Sequence, residues 1–429
     1  MDHRPSGPSG SPDTKDRRQP VGPSDLSPSG ADPEVTVAMV IHNYLPVLGG
    51  AQQQLNNLSP LFIERNIRPL VYTRSIPGEP ATTVLNGVEV IRVRTAGPRP
   101  VQSIMFVLGT LWHLIRAKPD VVHAYDTLTP ALIAGIYRFV SGTPYLTKLL
   151  RSGEMGDLNR LANKPLGRAR LELLKRSVDR FVVISHDLEA ELGHRGVGPD
   201  RRSFIPNGVD TERFGPPGDN GGPTPIAPMD RWKRRQECFP DWPLAPVVVV
   251  VGRVAPEKRV VELARRWHDT ADDRPEAWLY VVGDGPQVGE LDGLTNVRSL
   301  GNREDMPDIY RWSDVYVSAS SAEGLSNALL EAMASGCPGV VTNVGGVGDV
   351  MTDGVDGLVI AAEGPGRAVD EVIVDVVDRV EQLLADPRQR HELGGAARRA
   401  VQQRYSLVST AESLADEYRS LAADKKTRP

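Results

Sequence analysis

Several features that would restrict the function are missing from this chain of 429 residues. Its two cysteines, Cys238 and Cys337, provide neither a disulfide framework nor a paired-ligand metal spacing, which favours a reducing, cytosolic compartment. The formal net charge of −5 excludes a strongly basic nucleic-acid binder as the default expectation. We therefore predict no nucleic-acid partner.

The chain also lacks an apolar leader and a membrane-spanning run. Residues 1–34 are rich in Pro, Ser and Gly, so we predict a disordered tail there and no signal peptide. The most apolar later run, 101–115, is shorter than the roughly 20 residues that cross a bilayer. It predicts a helix packed on a sheet, with a helix lying against a membrane surface as the open alternative.

What the chain does contain is an uneven distribution of charge. Lys and Arg outnumber Asp and Glu by 7 in residues 35–215, whereas Asp and Glu outnumber Lys and Arg by 10 in residues 216–429. A basic half followed by an acidic half indicates two domains that face different partners.

Short β-rich runs alternate with helix-length segments in both halves. The first run, 35–42, is continuously apolar, as is typical of a buried parallel strand. The alternation predicts an α/β fold of two doubly wound, Rossmann-like domains facing a central cleft. The expected parts are a first domain at 35–214, a linker or irregular insertion at 215–246, a second domain at 247–406 and a last helix at 407–423 that crosses back onto the first domain.

The segment 321–346 contains the densest set of candidate functional residues. Its helix-forming stretch follows Ser326 and Asn327, either of which can cap the helix. The free backbone amides of Leu325, Ser326 and Asn327 would then point at the cleft and bind an anion.

Charged side chains surround this predicted anion site. Glu323 and Glu331 flank it and can accept hydrogen bonds from hydroxyl groups, so a diphosphate between them describes a bound sugar nucleotide. Arg253 and Lys258, in a turn after another strand, would neutralise a departing diphosphate. The alternative for all four residues is that they are ordinary surface charges.

Glycine turns and one histidine complete the candidates. Gly283 and Gly285 form a turn at a strand end, where the backbone can approach a base or ribose. Gly49 and Gly50 follow the first strand and allow a similar approach, and His123 ends a strand at the expected cleft edge. A plain turn and a buried structural histidine are the alternatives.

Four features together resemble the family 4 glycosyltransferases of the GT-B fold. They are the Arg253–Lys258 pair, the Glu323–Glu331 pair within EGLSNALLEAMASG, the GDGP turn and the sequence PNGVD at 206–210. The resemblance covers about residues 35–423. It implies a retaining hexosyltransferase that needs neither a metal nor a cofactor and uses a nucleotide sugar as co-substrate, with UDP as the expected nucleotide.

The same resemblance implies the roles of the donor-site residues. Arg253 and Lys258 hold the donor diphosphate, helped by the amides that follow Gly324. Glu331 bonds the nucleotide ribose, and Glu323 contacts hydroxyl groups of the transferred sugar.

On the other side of the cleft, the resemblance implies that Gly49 and Gly50 approach the phosphate or the acceptor. His123 is expected over the donor sugar near the anomeric carbon, and the departing phosphate oxygen accepts the acceptor's proton. The segment 151–157 matches no family motif, and we expect it to line the acceptor side.

Two other functions stay open at this point. One is another GT-B enzyme, a sugar-nucleotide 2-epimerase or a phosphorylase, and the other is a non-catalytic protein that binds sugar nucleotides. The acceptor is unassigned: the basic first half suits a lipid-linked, an anionic or a small-molecule acceptor. We expect a cytoplasmic protein with peripheral contact at the inner face of the membrane as a further option.

Overall fold

The computed structural model describes residues 35–47, 49–153, 156–215, 228–273, 276–364 and 366–427; the tail expected at 1–34 lies outside this part of the chain. Strands within the described residues assemble into two sheets, each covered by helices. The predicted fold class, two Rossmann-like α/β domains, is confirmed.

Eight strands form the first sheet. They are β1 (Val35–Val40), β2 (Ile67–Arg74), β3 (Thr82–Leu85), β4 (Val88–Val93), β5 (Val121–Ala124), β6 (Tyr145–Lys148), β7 (Arg180–Val183) and β8 (Arg202–Phe204). The helices in this part of the chain are α1 (Gly50–Glu64), α2 (Arg99–Ala117), α3 (Thr129–Ser141), α4 (Asp157–Ala162), α5 (Gly167–Ser177) and α6 (His186–His194). The strand order is β3-β4-β2-β1-β5-β6-β7-β8, parallel except for the β3–β4 pair.

Six parallel strands form the second sheet. They are β9 (Val247–Val251), β10 (Trp278–Val282), β11 (Val297–Gly301), β12 (Val315–Ser318), β13 (Gly339–Asn343) and β14 (Leu358–Ala361), in the order β11-β10-β9-β12-β13-β14. The remaining helices are α7 (Pro228–Cys238), α8 (Val260–Asp269), α9 (Met306–Trp312), α10 (Asn327–Ala334), α11 (Val347–Val350), α12 (Val369–Ala385), α13 (Pro387–Arg404) and α14 (Leu407–Thr427).

The central strand of each sheet explains why its sequence is continuously apolar. Nearly every residue of β1 and of the all-valine β9 is buried, because helices cover both faces of each sheet. β-branched side chains suit this position, since they pack well on a pleated surface.

The antiparallel β3–β4 hairpin is absent from the sequence prediction. Asn86 and Gly87 join its strands with positive φ angles of 50° and 79°. An Asn-Gly pair between two β-forming runs is the turn that such a two-residue hairpin needs, so the signal was present in the sequence.

The interpretation of 215–246 as an irregular connection is wrong for Pro228–Cys238, which form helix α7. This helix has no apolar stripe, and it is anchored by Arg235, whose side chain is fully buried. The guanidinium donates to Asp314 Oδ2 at 3.1 Å and to the Ala245 carbonyl at 2.5 Å. Because the buried side chain that anchors α7 is an arginine, the helix lacks the hydrophobic periodicity from which helices are predicted.

Helix α14 packs against the first sheet although it follows the second sheet in sequence. Its buried residues Leu414 and Tyr418 belong to the same core cluster as Phe62 of α1 and Val37 of β1. The segment 101–115 lies within α2, which packs on the first sheet through Phe106 and Leu114. No helix in the described part of the chain is long and apolar enough to cross a bilayer.

Candidate active site

The carboxyl ends of strands from both sheets border one cavity of about 1670 Å³. Loops after β1, β5 and β6 form one wall, and loops after β9, β10, β11 and β12 form the other. All predicted site residues except His123 line it: Gly49, Gly50, Arg253, Lys258, Gly283, Gly285, Glu323, Gly324, Leu325, Ser326, Asn327 and Glu331. These residues cluster at the carboxyl ends of parallel strands, which is where ligands usually bind in such folds.

Helix α10 points its first turn at the cavity. Ser326 is the N-cap residue, and its hydroxyl accepts a hydrogen bond from the Leu329 amide at 3.3 Å. Leu330 and Met333 are buried in the core and fix the direction of the helix. The positive end of the helix dipole and the amides at this turn have the chemistry that suits an anion, and the binding itself stays a prediction.

Lys258 and Glu323 both line the cavity and form an ion pair with each other. The Lys258 ammonium donates to Glu323 Oε1, and the Ser320 hydroxyl donates to the same oxygen at 2.9 Å. An ammonium group has three donors, so the pair orients Lys258 and leaves donors for a phosphate group. The sequence predicts both residues but not their contact.

Glu331 lies one turn into α10 and faces the same cavity. The Tyr310 hydroxyl donates to Glu331 Oε2 at 3.2 Å, and burial raises the pKa of Glu331 to about 7. Its charge therefore changes near neutral pH. In the ionised form, the carboxylate accepts hydrogen bonds from hydroxyl groups of a ligand.

The glycines of the GDGP turn are required by a neighbouring loop. Gly283 has a φ of 136°, and a Cβ atom there would lie 2.0 Å from the Gly252 carbonyl oxygen. A Cβ atom on Gly285 would lie 2.2 Å from the Val254 carbonyl oxygen. Close packing of the loops after β9 and β10 explains both glycines, while their contact with a ligand stays a prediction.

A third close approach joins the two walls. A Cβ atom on Gly324 would lie 1.7 Å from the carbonyl oxygen of Leu150, which follows β6. Only glycine permits this backbone contact between the loop before α10 and the first half of the chain.

Buried amide side chains continue the contact between the walls. Asn327 Oδ1 accepts hydrogen bonds from Gln54 Nε2 at 3.2 Å and from Asn207 Nδ2 at 3.0 Å. Asn207 also donates to the Leu325 carbonyl at 3.2 Å, and Gln54 donates to the Gly208 carbonyl at 2.6 Å. The PNGVD turn at 206–210 thus lies at the junction of the two halves, and its Asn207 lines the cavity.

A buried lysine extends this network. Lys148 is 2% exposed and donates to Asn207 Oδ1 at 2.9 Å. Burial lowers the pKa of Lys148 to about 8. Lys148 is not among the residues predicted from the sequence, although a lysine within the apolar run 144–150 indicates an unusual environment.

The prediction that His123 lies at the cleft edge is wrong. It lies inside β5, is fully buried, and its Nδ1 is 2.7 Å from the Tyr418 hydroxyl of α14. Burial lowers the pKa of His123, so its ring is neutral. The next two residues after the strand, Tyr125 and Asp126, line the cavity instead.

The first wall contains His42 and Asp126, which the sequence does not predict, and residues of the segment 151–157, which it does. His42 Nδ1 lies 2.8 Å from Asp126 Oδ2, joining the ends of β1 and β5. Asp157 Oδ2 accepts the Leu150 amide at 2.6 Å and the Arg151 amide at 3.3 Å, and burial raises the pKa of Asp157. Arg151 and Asp157 both line the cavity, whereas residues 154–155 of the expected acceptor segment lie outside the described residues.

Two family models match the chain, one on each side of the cavity. "Glycosyltransferase Family 4" matches residues 48–213, and "Glycosyl transferases group 1" matches residues 245–386. Among curated proteins, D-inositol 3-phosphate glycosyltransferase 2 of Catenulispora acidiphila is 27% identical, over 86% of this chain and 90% of that protein. UDP-Gal:alpha-D-GlcNAc-diphosphoundecaprenol alpha-1,3-galactosyltransferase of Escherichia coli is 24% identical, over 74% of this chain and 80% of that protein.

Solved structures share the fold. HepE of Anabaena, crystallised with UDP-glucose, has a TM-score of 0.69 at 20% identity and covers 90% of this chain and 100% of its own. Sucrose-phosphate synthase of Thermosynechococcus elongatus has a TM-score of 0.71 at 19% identity, with coverages of 91% and 100%. With the family matches and the cavity between two Rossmann-like sheets, these findings establish that the chain belongs to the family 4 glycosyltransferases of the GT-B fold.

Proposed function

We propose that this glycosyltransferase moves a sugar from a UDP-sugar to a hydroxyl group of its acceptor, with retention of anomeric configuration and without a metal ion. One observation carries the proposal: Arg253, Lys258 and the first turn of α10 line the same cavity. A nucleoside diphosphate has the charge and the acceptor oxygens that two cations and a row of amides neutralise.

In the proposed donor complex, Glu331 accepts hydrogen bonds from the ribose and Glu323 from the transferred sugar. The bond between the anomeric carbon and the phosphate oxygen breaks, and a bond from that carbon to the acceptor oxygen forms on the same face of the sugar. The acceptor's proton passes to the departing phosphate oxygen. Arg253 and Lys258 stabilise the negative charge that grows on the diphosphate.

The names of the relatives support the choice of UDP. The Escherichia coli relative has UDP-Gal in its name, and the Anabaena structure was solved with UDP-glucose. For the acceptor we propose a molecule that bears a phosphate, either lipid-linked or small. Arg151 and Arg160 line the wall opposite the donor site, and the two curated relatives have an inositol phosphate and a diphosphoundecaprenol in their names.

We also propose a cytoplasmic reaction. Cys238 is exposed and Cys337 is buried, and both are free thiols. Exposed free thiols persist in reducing compartments.

The donor is tested by thermal unfolding with UDP-, GDP-, ADP- and TDP-sugars. Binding to the folded state raises its stability by about 2.7 kcal/mol at a ligand concentration 100 times the Kd, so a UDP-sugar should raise the Tm most. Lys258→Ala should reduce this shift, and Lys233→Ala, an exposed lysine on α7, should not. A larger shift with GDP-, ADP- or TDP-sugars would contradict the choice of UDP.

The reaction is tested with the donor so identified and with D-inositol 3-phosphate or a short-chain GlcNAc-diphosphopolyprenol as trial acceptor, since both have sugar or cyclitol hydroxyl groups. NMR of the product should show the anomeric configuration of the donor, and EDTA should leave the rate unchanged. An inverted product would overturn retention, and loss of activity in EDTA would overturn metal independence. Conversion of the UDP-sugar to its 2-epimer without acceptor would favour the epimerase alternative.

A further inference from the structure

Helix α2 exposes a stripe of large apolar side chains. Ile104, Leu108, Trp112 and Ile115 recur at helical spacing, and Leu108 is 63% exposed. The opposite side of the helix is buried in the core through Phe106 and Leu114. The helix is therefore apolar on both sides, although only one of them is covered within the described residues.

The stripe continues onto two neighbouring helices. Phe139 and Val140 at the end of α3 are 92% and 68% exposed, and Leu166 and Leu173, at the start of α5 and within it, are 82% and 60% exposed. Helix α3 contacts both α2 and α5, and all three helices contribute to the same core cluster. The connections β4–α2–β5, β5–α3–β6 and β6–α5–β7 also run in one direction across the sheet, which puts their helices on one face.

Such exposure is costly in water. Soluble monomers rarely expose contiguous apolar patches larger than a few hundred Å², and larger ones mark sites of interaction. Leu166 adds a second cost, since it holds a φ of 56°, a left-handed conformation that leucine disfavours. Because Leu166 is exposed, burial in the hydrophobic core does not offset the cost of this backbone conformation.

The same three helices are strongly basic. Their cations are Arg99, Arg116, Arg138, Arg168, Arg170, Lys175 and Arg176, and their one carboxylate is Glu172. Glu172 pairs with Lys175, and Arg138 pairs with Asp179 beyond α5. Trp112 stacks under the Arg116 guanidinium at 3.6 Å, so an apolar ring and a charged group lie side by side on the surface.

We propose that α2, α3 and the start of α5 form a docking face for a membrane surface that contains anionic lipids. Apolar side chains enter the boundary between head groups and acyl chains, while the cations around them contact lipid phosphates. Arg116 extends toward the phosphates and Trp112 lies at the boundary, as such side chains do at interfaces.

Charge and composition favour a membrane as the partner of this face over a second copy of the chain and over the tail 1–34. In a symmetric dimer, a face whose helices have seven cations against Glu172 and the neighbouring Asp179 would meet itself, and like charges would oppose each other. The tail 1–34 contains Val21 and Leu26 as its only Val, Leu, Ile or Phe residues, too few to cover this face. An anionic bilayer supplies both the apolar layer and the counter-charges.

The docking face adjoins the first wall of the cavity. Leu128, immediately before α3, and Arg160 of α4 both line the cavity. Docking would therefore bring the acceptor side of the cavity close to the lipid head groups. The proposal does not depend on the donor or the mechanism proposed above, because vesicle binding is measured without either substrate.

The test is cosedimentation of the full chain with vesicles of phosphatidylcholine alone or mixed with phosphatidylglycerol. We expect binding to the mixed vesicles, weakened by salt, and little binding to phosphatidylcholine alone. The double variant Leu108→Ser/Phe139→Ser (the anchor variant) should bind the mixed vesicles at least about tenfold more weakly, because it removes two exposed apolar side chains. The matched control Val84→Ser/Val355→Ser changes two exposed apolar residues outside the face and should bind like the unmodified protein.

A second measurement tests whether the docking face itself contacts the lipid. Phosphatidylglycerol vesicles with brominated acyl chains should quench tryptophan fluorescence, and Trp112→Phe should remove most of this quenching while binding persists. Equal binding of the anchor variant and the control would overturn the proposal. So would light scattering that finds a dimer in the unmodified protein and a monomer in the anchor variant, since the face would then join two copies.

Discussion

The two walls of the cavity are built in different ways. The second wall presents the backbone amides of one helix turn together with Arg253 and Lys258, which lie within one short segment. The first wall presents single side chains from separate strand ends, such as His42, Asp126 and Asp157. A compact set of donors suits a diphosphate, which is the same in every nucleoside diphosphate sugar, whereas side chains from separate strand ends suit a ligand of more particular shape.

The difference between the two walls is tested first by removing Lys258, one of the two cations of the second wall. Lys258→Ala should lower the transfer rate about 100- to 1000-fold, because the charge on the leaving diphosphate loses a fixed partner. Release of UDP under saturating donor measures this, with Lys233→Ala as control. Near-normal turnover would remove Lys258 from the mechanism.

The contact between the walls is tested by Gly324→Ala. The added Cβ atom meets the Leu150 carbonyl and must push the walls apart, and a displacement of about 1 Å at a reacting centre costs on the order of 100-fold in rate. The control is Gly289→Ala, where a Cβ atom meets nothing within 4 Å. An unchanged kcat/KM in Gly324→Ala would mean that the walls act independently.

The first wall is tested by Asp157→Asn. Loss of the carboxylate weakens the hydrogen bonds that hold the Leu150 and Arg151 amides, so the acceptor KM should rise roughly tenfold while the donor KM stays constant. Asp187→Asn, at an exposed position on α6, serves as control. A change confined to the donor KM would reverse the assignment of the walls.

A smaller effect should follow from pH at Glu331. Its pKa of about 7 means that the carboxyl group becomes protonated as the pH falls through that value, and a protonated group accepts ribose hydroxyls less well. The Kd for UDP should therefore rise severalfold between about pH 8 and about pH 6. Glu331→Gln should bind UDP weakly at both values; if its pH dependence is unchanged, another group titrates.

The smallest catalytic effect is expected at His123. His123→Phe removes a buried partner of the Tyr418 hydroxyl and should lower the free energy of unfolding by about 1–3 kcal/mol, with kcat unchanged below the Tm. Thermal unfolding and initial rates measure the two effects. A large loss of kcat in a folded variant would restore the catalytic role that the sequence predicts.

The parts that the sequence predicts well are continuous in the chain. The βα alternation predicts both sheets, and the segment around Ser326 predicts the capped helix. These features arise from local periodicity and capping, which act over a few residues.

The parts that the sequence does not predict depend on distant contacts. His123 and Tyr125 are two residues apart and both are buried next to α14, yet only Tyr125 also borders the cavity. The hydrogen bonds among Gln54, Asn207 and Asn327 join residues far apart in the chain. No local pattern encodes such pairings.

Helix α14 also sets an order of events during synthesis. The last strand of the first sheet, β8, ends at Phe204, yet α14, which helps to cover this sheet, begins at Leu407. At ribosomal speeds of about 5–20 residues per second, roughly 10 to 40 seconds pass between the two. During that time the apolar face formed by Val37 and Phe62 has no cover from α14. The first half of the chain therefore completes its hydrophobic core only after the second half has been synthesised.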